Sequence, residues 1–472
     1  MSRLPNILML MTDHQRADSL GMVQCGVEVT PRLNRLAEHG AFFRRAYNAC
    51  PLCIPARTAL ATGKYPTANG VFNNDRQLTA GDCKPIHQYL AEAGYEVGQV
   101  GVRHVRVQPP VEQRVEFSSW VGPQDYAAYQ TELGFDDDGT DNYGHLKLPK
   151  AYLDTFKTDT AVPAGSKSVV EGRSNAKTGI WPYPAEQFFD LYMCRQAAGF
   201  IENRQDAKPF ALFVYLWAPH PPLIVPQPYA SMFDPAKLEL PANIGVVSES
   251  EPAGRRSSIA SQLAQGVTMD QWRQAWAAHL GLVRLADDGF GQVLDALEVA
   301  GQTDSTLVLF TSDHGDHMGQ HRMYQKFEMY EQAICMPLVI KGPGVVQLVS
   351  DVPVSHLDVV PTLLDIVGTA VPGDLDGISL RSCLETATAA ADRYVFCQYS
   401  GLDQINYIRR AVIRGRYKYV YDPAGEPELY DLEVDPLEMQ NLASSSQHAA
   451  TMAQMHEACR AWARSHGDWV KM

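Results

Sequence analysis

The sequence predicts an α/β fold: a large mixed, mostly parallel sheet sandwiched by helices, followed by a smaller C-terminal α+β domain on an antiparallel sheet. Three observations carry this. Short apolar runs at NILMLMTD (6–13), FALFVYLWAPHPP (210–222) and TLVLFTSDHGDH (306–317) end in acids or histidines, as buried strands do where they leave a sheet. Segments of helical spacing lie between them, which favours parallel strands covered on both faces. Beyond about residue 370 the pattern shifts to alternation, as in antiparallel strands.

Taken in order, 6–13 is the first strand and YEVGQVGVRH (95–104) a weaker one. AEQFFDLYMCRQAAGFIENR (185–204) has helical spacing, and 210–222 is a strand that runs into prolines. DQWRQAWAAHLGLVRLADDGFGQVLDALEVAG (270–301) is the clearest helix, with Gly301 as its stop. The strand at 306–317 follows, then PLVIKGPG (337–344) with a Gly-Pro turn, and SHLDVVPTLLDIVG (355–368) reads as a capped helix. YIRRAVIRGRYKYVYD (407–422) alternates, and ELYDLEVDPLEMQNLA (428–443) leads into a last helix. The stretch 105–184 is rich in Pro, Gly, Asp and Tyr with little periodicity, and reads as an insertion near a site mouth. The expected division is 1–370 for the main domain and 371–472 for the C-terminal one.

Composition narrows the function. The chain has 472 residues, 45% hydrophobic and 20% charged, which is ordinary for a globular protein. A net charge of −14 leaves no basic excess for a general nucleic-acid binder. No stretch approaches the ~20 apolar residues of a membrane span. Nine scattered cysteines form neither a disulfide framework nor a zinc pattern, so a reducing, cytoplasmic location is expected.

In parallel sheets ligands gather beyond the carboxyl ends of the strands. Here those ends carry Asp13, His104, His220 and the pair Asp313–His314. Oxygen ligands with one imidazole suit a divalent ion such as Ca²⁺, Mg²⁺ or Mn²⁺. A hard cation with basic side chains around it suits a tetrahedral oxyanion. Arg57 lies one helical turn after Cys53, near the same pocket. Lys326 follows Asp313 in the chain. An acid after a strand can equally be a helix cap, and a lone cysteine a structural thiol; the pair Asp313–His314 is harder to read that way.

The stretch CIPAR (53–57) matches the Cys-x-Pro-x-Arg signature of type I sulfatases, in the alkaline phosphatase superfamily. PNILMLMTDHQRADSLG, PHPPLIVP, FTSDHGDHMGQH, SHLDVVPTLLDIVG and ELYDLEVDPLEMQNLA resemble further blocks of that family, in family order from residue 5 to 443. The resemblance implies that a formylglycine-generating enzyme converts Cys53 to formylglycine, whose hydrate is nucleophile and metal ligand. Asp13, Asp313 and His314 are then the remaining ligands of one divalent ion, Ca²⁺ or Mn²⁺ before Mg²⁺. It gives catalytic roles to Arg57, His104, His220 and Lys326, and places Asn74 against the substrate anion.

Two departures shape the expectation. His14 stands where many sulfatases have a second acid, and His314 where others have Asn, as in the branch of choline sulfatases and phosphonate monoester hydrolases. In GVRH (101–104) Val102 stands where the family often has a sulfate-binding lysine. Arg103 is then the cation left to bind substrate, although strand alternation turns neighbours to opposite faces. The implied activity is hydrolysis of a small-molecule sulfate ester, with phosphonate monoester or phosphodiester hydrolysis at the same site as the alternative. Relatives are often dimers or tetramers, so a homo-oligomer is the corresponding expectation. Arg255, Arg256, Tyr399 and Asp403 read as surface residues before pocket-wall ones.

Overall fold

The computed structural model describes residues 4–135, 140–143, 145–150, 176–204 and 208–472. Its centre is a nine-stranded sheet. From one edge the strands run Leu348–Ser350, Ala41–Tyr47, Cys335–Lys341, Thr306–Ser312, Asn6–Thr12, Phe210–Tyr215, Glu96–Gly101 and Phe117–Val121, with Val354–Ser355 also on Ala41–Tyr47. Asn6–Thr12 lies parallel to both neighbours, pairing Leu8 with Leu212 and with Val308. Cys335–Lys341 alone runs against its two partners. The sheet is thus mostly parallel, as the apolar runs foretold.

The strands that read most clearly are the central ones. Asn6–Thr12, Phe210–Tyr215 and Thr306–Ser312 are buried along their whole length, because helices cover both faces. That double cover is what selects an unbroken apolar run over an alternating one. Helices Phe189–Glu202 and Met269–Val299 pack together on one face. On the other lie Cys53–Thr62, Ile86–Glu92 and Val359–Ile366. Thr268 and Gln271 close a reciprocal cap at the start of the long helix.

Several strands escaped the sequence reading, Ala41–Tyr47 and Phe117–Val121 of the central sheet among them. Ala41–Tyr47 carries Arg44 and Arg45 in its middle, and this part of the sheet is near the edge, where charged side chains reach water. Phe117–Val121 lies inside the stretch taken as an insertion, yet it pairs in parallel with Glu96–Gly101 and forms the sheet's far edge. The first part of 105–184 therefore belongs to the scaffold. The remainder contributes the hairpin Thr140–Tyr143/Leu146–Pro149 and a short strand, Thr178–Ile180, on Leu223–Val225; 151–175 lies outside the described residues.

Toward the C-terminus, Val395–Tyr399, Arg409–Arg414, Tyr417–Tyr421 and Glu428–Asp431 form an antiparallel sheet in chain order. Helix Ala449–Ser465 packs on it through Met455, Cys459 and Trp462. Buried ions tie this sheet to the rest. Arg255 contacts Glu428, and Lys418 lies 3.0 Å from Glu331 and also contacts Glu438. Arg255 and Tyr399 are buried, which corrects their reading as surface residues. Burial pushes Glu328, beside Arg255, up to about 7. All nine cysteines are free thiols, and no helix among the described residues is long and apolar enough to cross a membrane.

One glycine fixes how closely two segments approach. A Cβ on Gly315 would lie 2.0 Å from the carbonyl oxygen of Gln332. Gly315→Ala should therefore cost about 1–3 kcal/mol through overpacking. Chemical denaturation checks this against Gly81→Ala, where a Cβ meets nothing within 4 Å; that control should stay within about 0.5 kcal/mol of the parent.

Candidate active site

The carboxyl ends of the parallel strands converge as their sequence implied. Asp13 follows Asn6–Thr12, Asp313 and His314 follow Thr306–Ser312, and Cys53 opens the helix that follows Ala41–Tyr47. That helix, Cys53–Thr62, is buried throughout. Pro55 fits its first turn because the N–H it lacks has no helical partner there. Gly63 ends the helix in the left-handed conformation, φ 66°, which a glycine adopts freely.

Ligand atoms of Asp13, Cys53, Asp313 and His314 all lie within 4.8 Å of one another, and all four residues are buried. The Cys53 thiol is 3.2 Å from His314 Nε2 and 3.8 Å from Asp13 Oδ1. His314 Nε2 is 3.5 Å from Asp13 Oδ1, while its Nδ1 lies 3.1 Å from the Gly315 carbonyl. A proton on Nδ1 would bond that carbonyl and leave Nε2 a lone pair pointing at the cluster.

Arg57, one turn along the helix, holds the two acids together. Its Nε donates to Asp313 Oδ2 at 2.7 Å and its Nη2 to Asp13 Oδ2 at 2.8 Å, while Nη1 donates to the Val102 carbonyl. Each carboxylate keeps its other oxygen for the cluster. Burial and the charge of Asp313 push Asp13 up to about 7. Burial works against Asp313 as well, but Arg57, His314 and Lys326 outweigh it and hold that carboxyl down to about 2. Four donors of carboxylate, imidazole and sulfur type around one buried point are a set that a divalent cation would suit. The residues fit such an ion. Burial, with Asp13, also pushes the Cys53 thiol up to about 12, so it is no ready thiolate here.

Lys326 lies at the other side of Cys53, its Nζ 2.8 Å from the sulfur and 2.8 Å from His14 Nε2. His220 sits 4.4 Å from His14 between ring centroids and 4.0 Å from Trp217, and its Nδ1 bonds the Pro221 carbonyl. Burial and Lys326 keep its pKa well below the usual range. His104 ends the strand Glu96–Gly101 in a left-handed turn, φ 55°. Burial and Arg57 lower it to about 3, and its Nδ1 is buried with no partner among the described residues.

Asn74 is half-buried, with its main-chain N–H donating to the Leu402 carbonyl at 2.6 Å and its side-chain Oδ1 unpartnered among the described residues. Arg103 does not join the group. Its guanidinium pairs with Glu112 at 2.9 Å and stands over the Trp120 ring. His104, in a left-handed turn, lies within electrostatic reach of Arg57 and Asp313, while Arg103 lies on the side of Glu112 and Trp120. Val102 is buried in the core and serves through its carbonyl.

Two residues at the centre were given no role from sequence. His14 is buried beside Lys326 although its neighbour Asp13 also faces inward. Strand parity forbids that arrangement; a left-handed turn at His14, φ 69°, permits it. Asp316 accepts from Met318 and Gln325 amides and lies 2.8 Å from His14 Nδ1. The signal for Asp316 was the repeated acid–histidine pattern of DHGDH, which gives position but no partner.

A carboxylate cluster able to take a cation, with fixed basic side chains beside it, suits a hydrolase acting on a tetrahedral anion. The Sulfatase family profile matches residues 5–369, and that of the N-sulphoglucosamine sulphohydrolase C-terminal region matches residues 319–464. An arylsulfatase of Clostridium perfringens is 26% identical, with 94% of this chain and 91% of that protein covered. A choline-sulfatase of Rhizobium meliloti is 27% identical, covering 93% and 83% respectively. Among solved structures, a phosphonate monoester hydrolase from Silicibacter pomeroyi superposes with a TM-score of 0.77 at 24% identity, over 98% of this chain and 96% of that one. The chain belongs to the sulfatase family, and its reaction class is sulfuric ester hydrolysis.

The Arg57 clamp carries a stability prediction. Arg57→Ala leaves two buried carboxylates unpaired and should cost about 3–5 kcal/mol in chelator-treated protein. Urea denaturation with and without added Ca²⁺ or Mn²⁺ measures it, and the ion should recover part of the loss because it binds only the folded chain.

Proposed function

We propose that the protein hydrolyses small-molecule sulfate esters at the cluster of Asp13, Cys53, Asp313 and His314, with Cys53 converted to formylglycine. The observation that carries this is the convergence of those four donors with Arg57 and Lys326 around one buried point. Asp13, Asp313, His314 and the side chain at position 53 would hold one Ca²⁺ or Mn²⁺. The ion supplies Lewis-acid polarisation of the sulfuryl oxygens, and the aldehyde hydrate supplies a nucleophilic oxygen with a second hydroxyl for later release.

The chain's own side chains do the rest. Arg57 fixes both carboxylates and offsets charge beside residue 53. Lys326, within reach of that residue, faces the bridging oxygen and stabilises negative charge as the ester bond breaks. His220 has Nδ1 committed to the Pro221 carbonyl, which leaves Nε2 free to carry a proton to the leaving group. An incoming anionic ester favours its protonated form. His104, whose Nδ1 has no partner among the described residues, takes the proton whose removal expels sulfate. Asn74 offers its amide side chain to the anion.

A second reading rests on Val102. The segment that often brings a lysine to sulfate brings none here, and Arg103 is turned to Glu112. A site with one less cation for a sulfuryl oxygen leaves room for phosphonate monoesters or phosphodiesters on the same residues.

Turnover of 4-nitrophenyl sulfate against 4-nitrophenyl phenylphosphonate separates the two, and sulfate turnover is expected to lead. Peptide mass spectrometry should show thiol-to-aldehyde conversion at Cys53. Cys53→Ala should lose about 10⁴-fold or more in kcat, as removal of a nucleophile does. A fully active protein with an unconverted Cys53 would refute the proposal.

A further inference from the structure

In the sequence, His14 stands only as the place of a missing acid. The structure gives it two committed nitrogens. Nε2 lies 2.8 Å from Lys326 Nζ, and Nδ1 lies 2.8 Å from Asp316 Oδ2. An ammonium has three donors and no acceptor, so the Lys326 contact requires a lone pair on Nε2. A neutral imidazole then carries its proton on Nδ1, where it meets a carboxylate oxygen. The Lys326 contact sets this tautomer, and the Asp316 contact accommodates it.

Asp316 is itself immobilised. Its Oδ1 accepts from the Met318 and Gln325 amides at 2.9 and 2.8 Å, and its main-chain carbonyl accepts from Arg16 Nη1 at 2.7 Å. Gln325 precedes Lys326, so one carboxylate fixes the backbone that delivers the lysine and the imidazole that receives its proton. His14 adopts a left-handed backbone, φ 69°, at 0% exposure. A non-glycine residue is held there only when its surroundings over-determine it.

We propose that His14 is a positioning residue: Asp316 accommodates its Nδ1–H tautomer, and Nε2 holds the Lys326 ammonium against residue 53. This rests on the assignment of Lys326 to the leaving oxygen. A neutral acceptor orients the ammonium without cancelling its charge, which a carboxylate at this position would do. A second donor meets the Cys53 sulfur, which leaves a third for the ester. Asp13, His14 and His220 also bring ligand atoms within 4.8 Å of one another. A cation on His14 Nε2, however, would have to displace the ammonium that now occupies it.

The test uses the full-length, aldehyde-bearing enzyme with whichever ester the parent turns over best, so that a change of substrate class leaves it intact. His14→Ala should lower kcat about 10–100-fold, as loss of an orienting partner does, with bound metal per chain unchanged. Combined with Lys326→Ala it should add no further loss. His14→Gln, whose amide oxygen can stand in for Nε2, should recover more activity than His14→Asn. Nitrogen-15 NMR of the metal-free parent, with the His14 signal assigned through His14→Gln, should show a protonated Nδ1 and an unprotonated Nε2. That readout needs no turnover and no variant that must fold well. Loss of metal in His14→Ala, additive effects with Lys326→Ala, or a proton on Nε2 would each overturn the proposal.

Discussion

The buried clamp of Arg57 on Asp13 and Asp313 is the contact on which the rest of the site depends. The two acids come from strands about three hundred residues apart in the chain, and the guanidinium comes from a third segment. A planar fork with fixed donors can hold two carboxylates at set angles, which a lysine could not do. In holding them it leaves one oxygen of each for the cluster. The Val102 carbonyl takes a further donor, so the clamp also registers the strand that ends in His104. The freed oxygens join Cys53 and His314 around one buried point, the donor set a metal ion would need.

Lys326 answers to a different part of the molecule. Its loop begins at Asp313 and ends beside Glu328, which sits among Arg255, Arg409 and Asp422. Those partners come from the segment before the long helix and from the antiparallel sheet. The C-terminal sheet is therefore bound to the loop that presents the lysine, not merely appended to the parallel sheet. Charges without enough water around them make such a junction intolerant of movement, because any separation leaves a buried ion alone.

Much of this was legible in the sequence, and the limits have physical causes. Runs such as TLVLFTSDHGDH declare a doubly covered strand and its reactive end together, because burial demands one composition and chemistry another. Ala41–Tyr47 did not declare itself, since Arg44 and Arg45 can leave a strand near the sheet edge for water. Phe117–Val121 is half-exposed, so its pattern resembles that of the loops around it. Among site residues, Asp13, Cys53, Arg57, Asp313, His314 and Lys326 meet as their spacing and family blocks suggested. Arg103 does not, and His14 does against strand parity. A backbone turn at His14 decides the latter case, and a left-handed turn at a histidine leaves little trace in composition.

The helix Cys53–Thr62 has one more consequence, and it concerns time. Cys53, Pro55 and Arg57 are the residues an aldehyde-forming enzyme would have to read, and in the folded chain all three are buried. Cys53 keeps only 6% of its surface and Arg57 1%. A visiting enzyme needs an extended segment, and this one is locked beneath a sheet by two ion pairs. The proposed conversion would therefore have to come before the parallel sheet closes. A chain that folds first would trap its thiol, and molecules with identical sequences would then leave synthesis as two lasting populations, sorted by which event won the race.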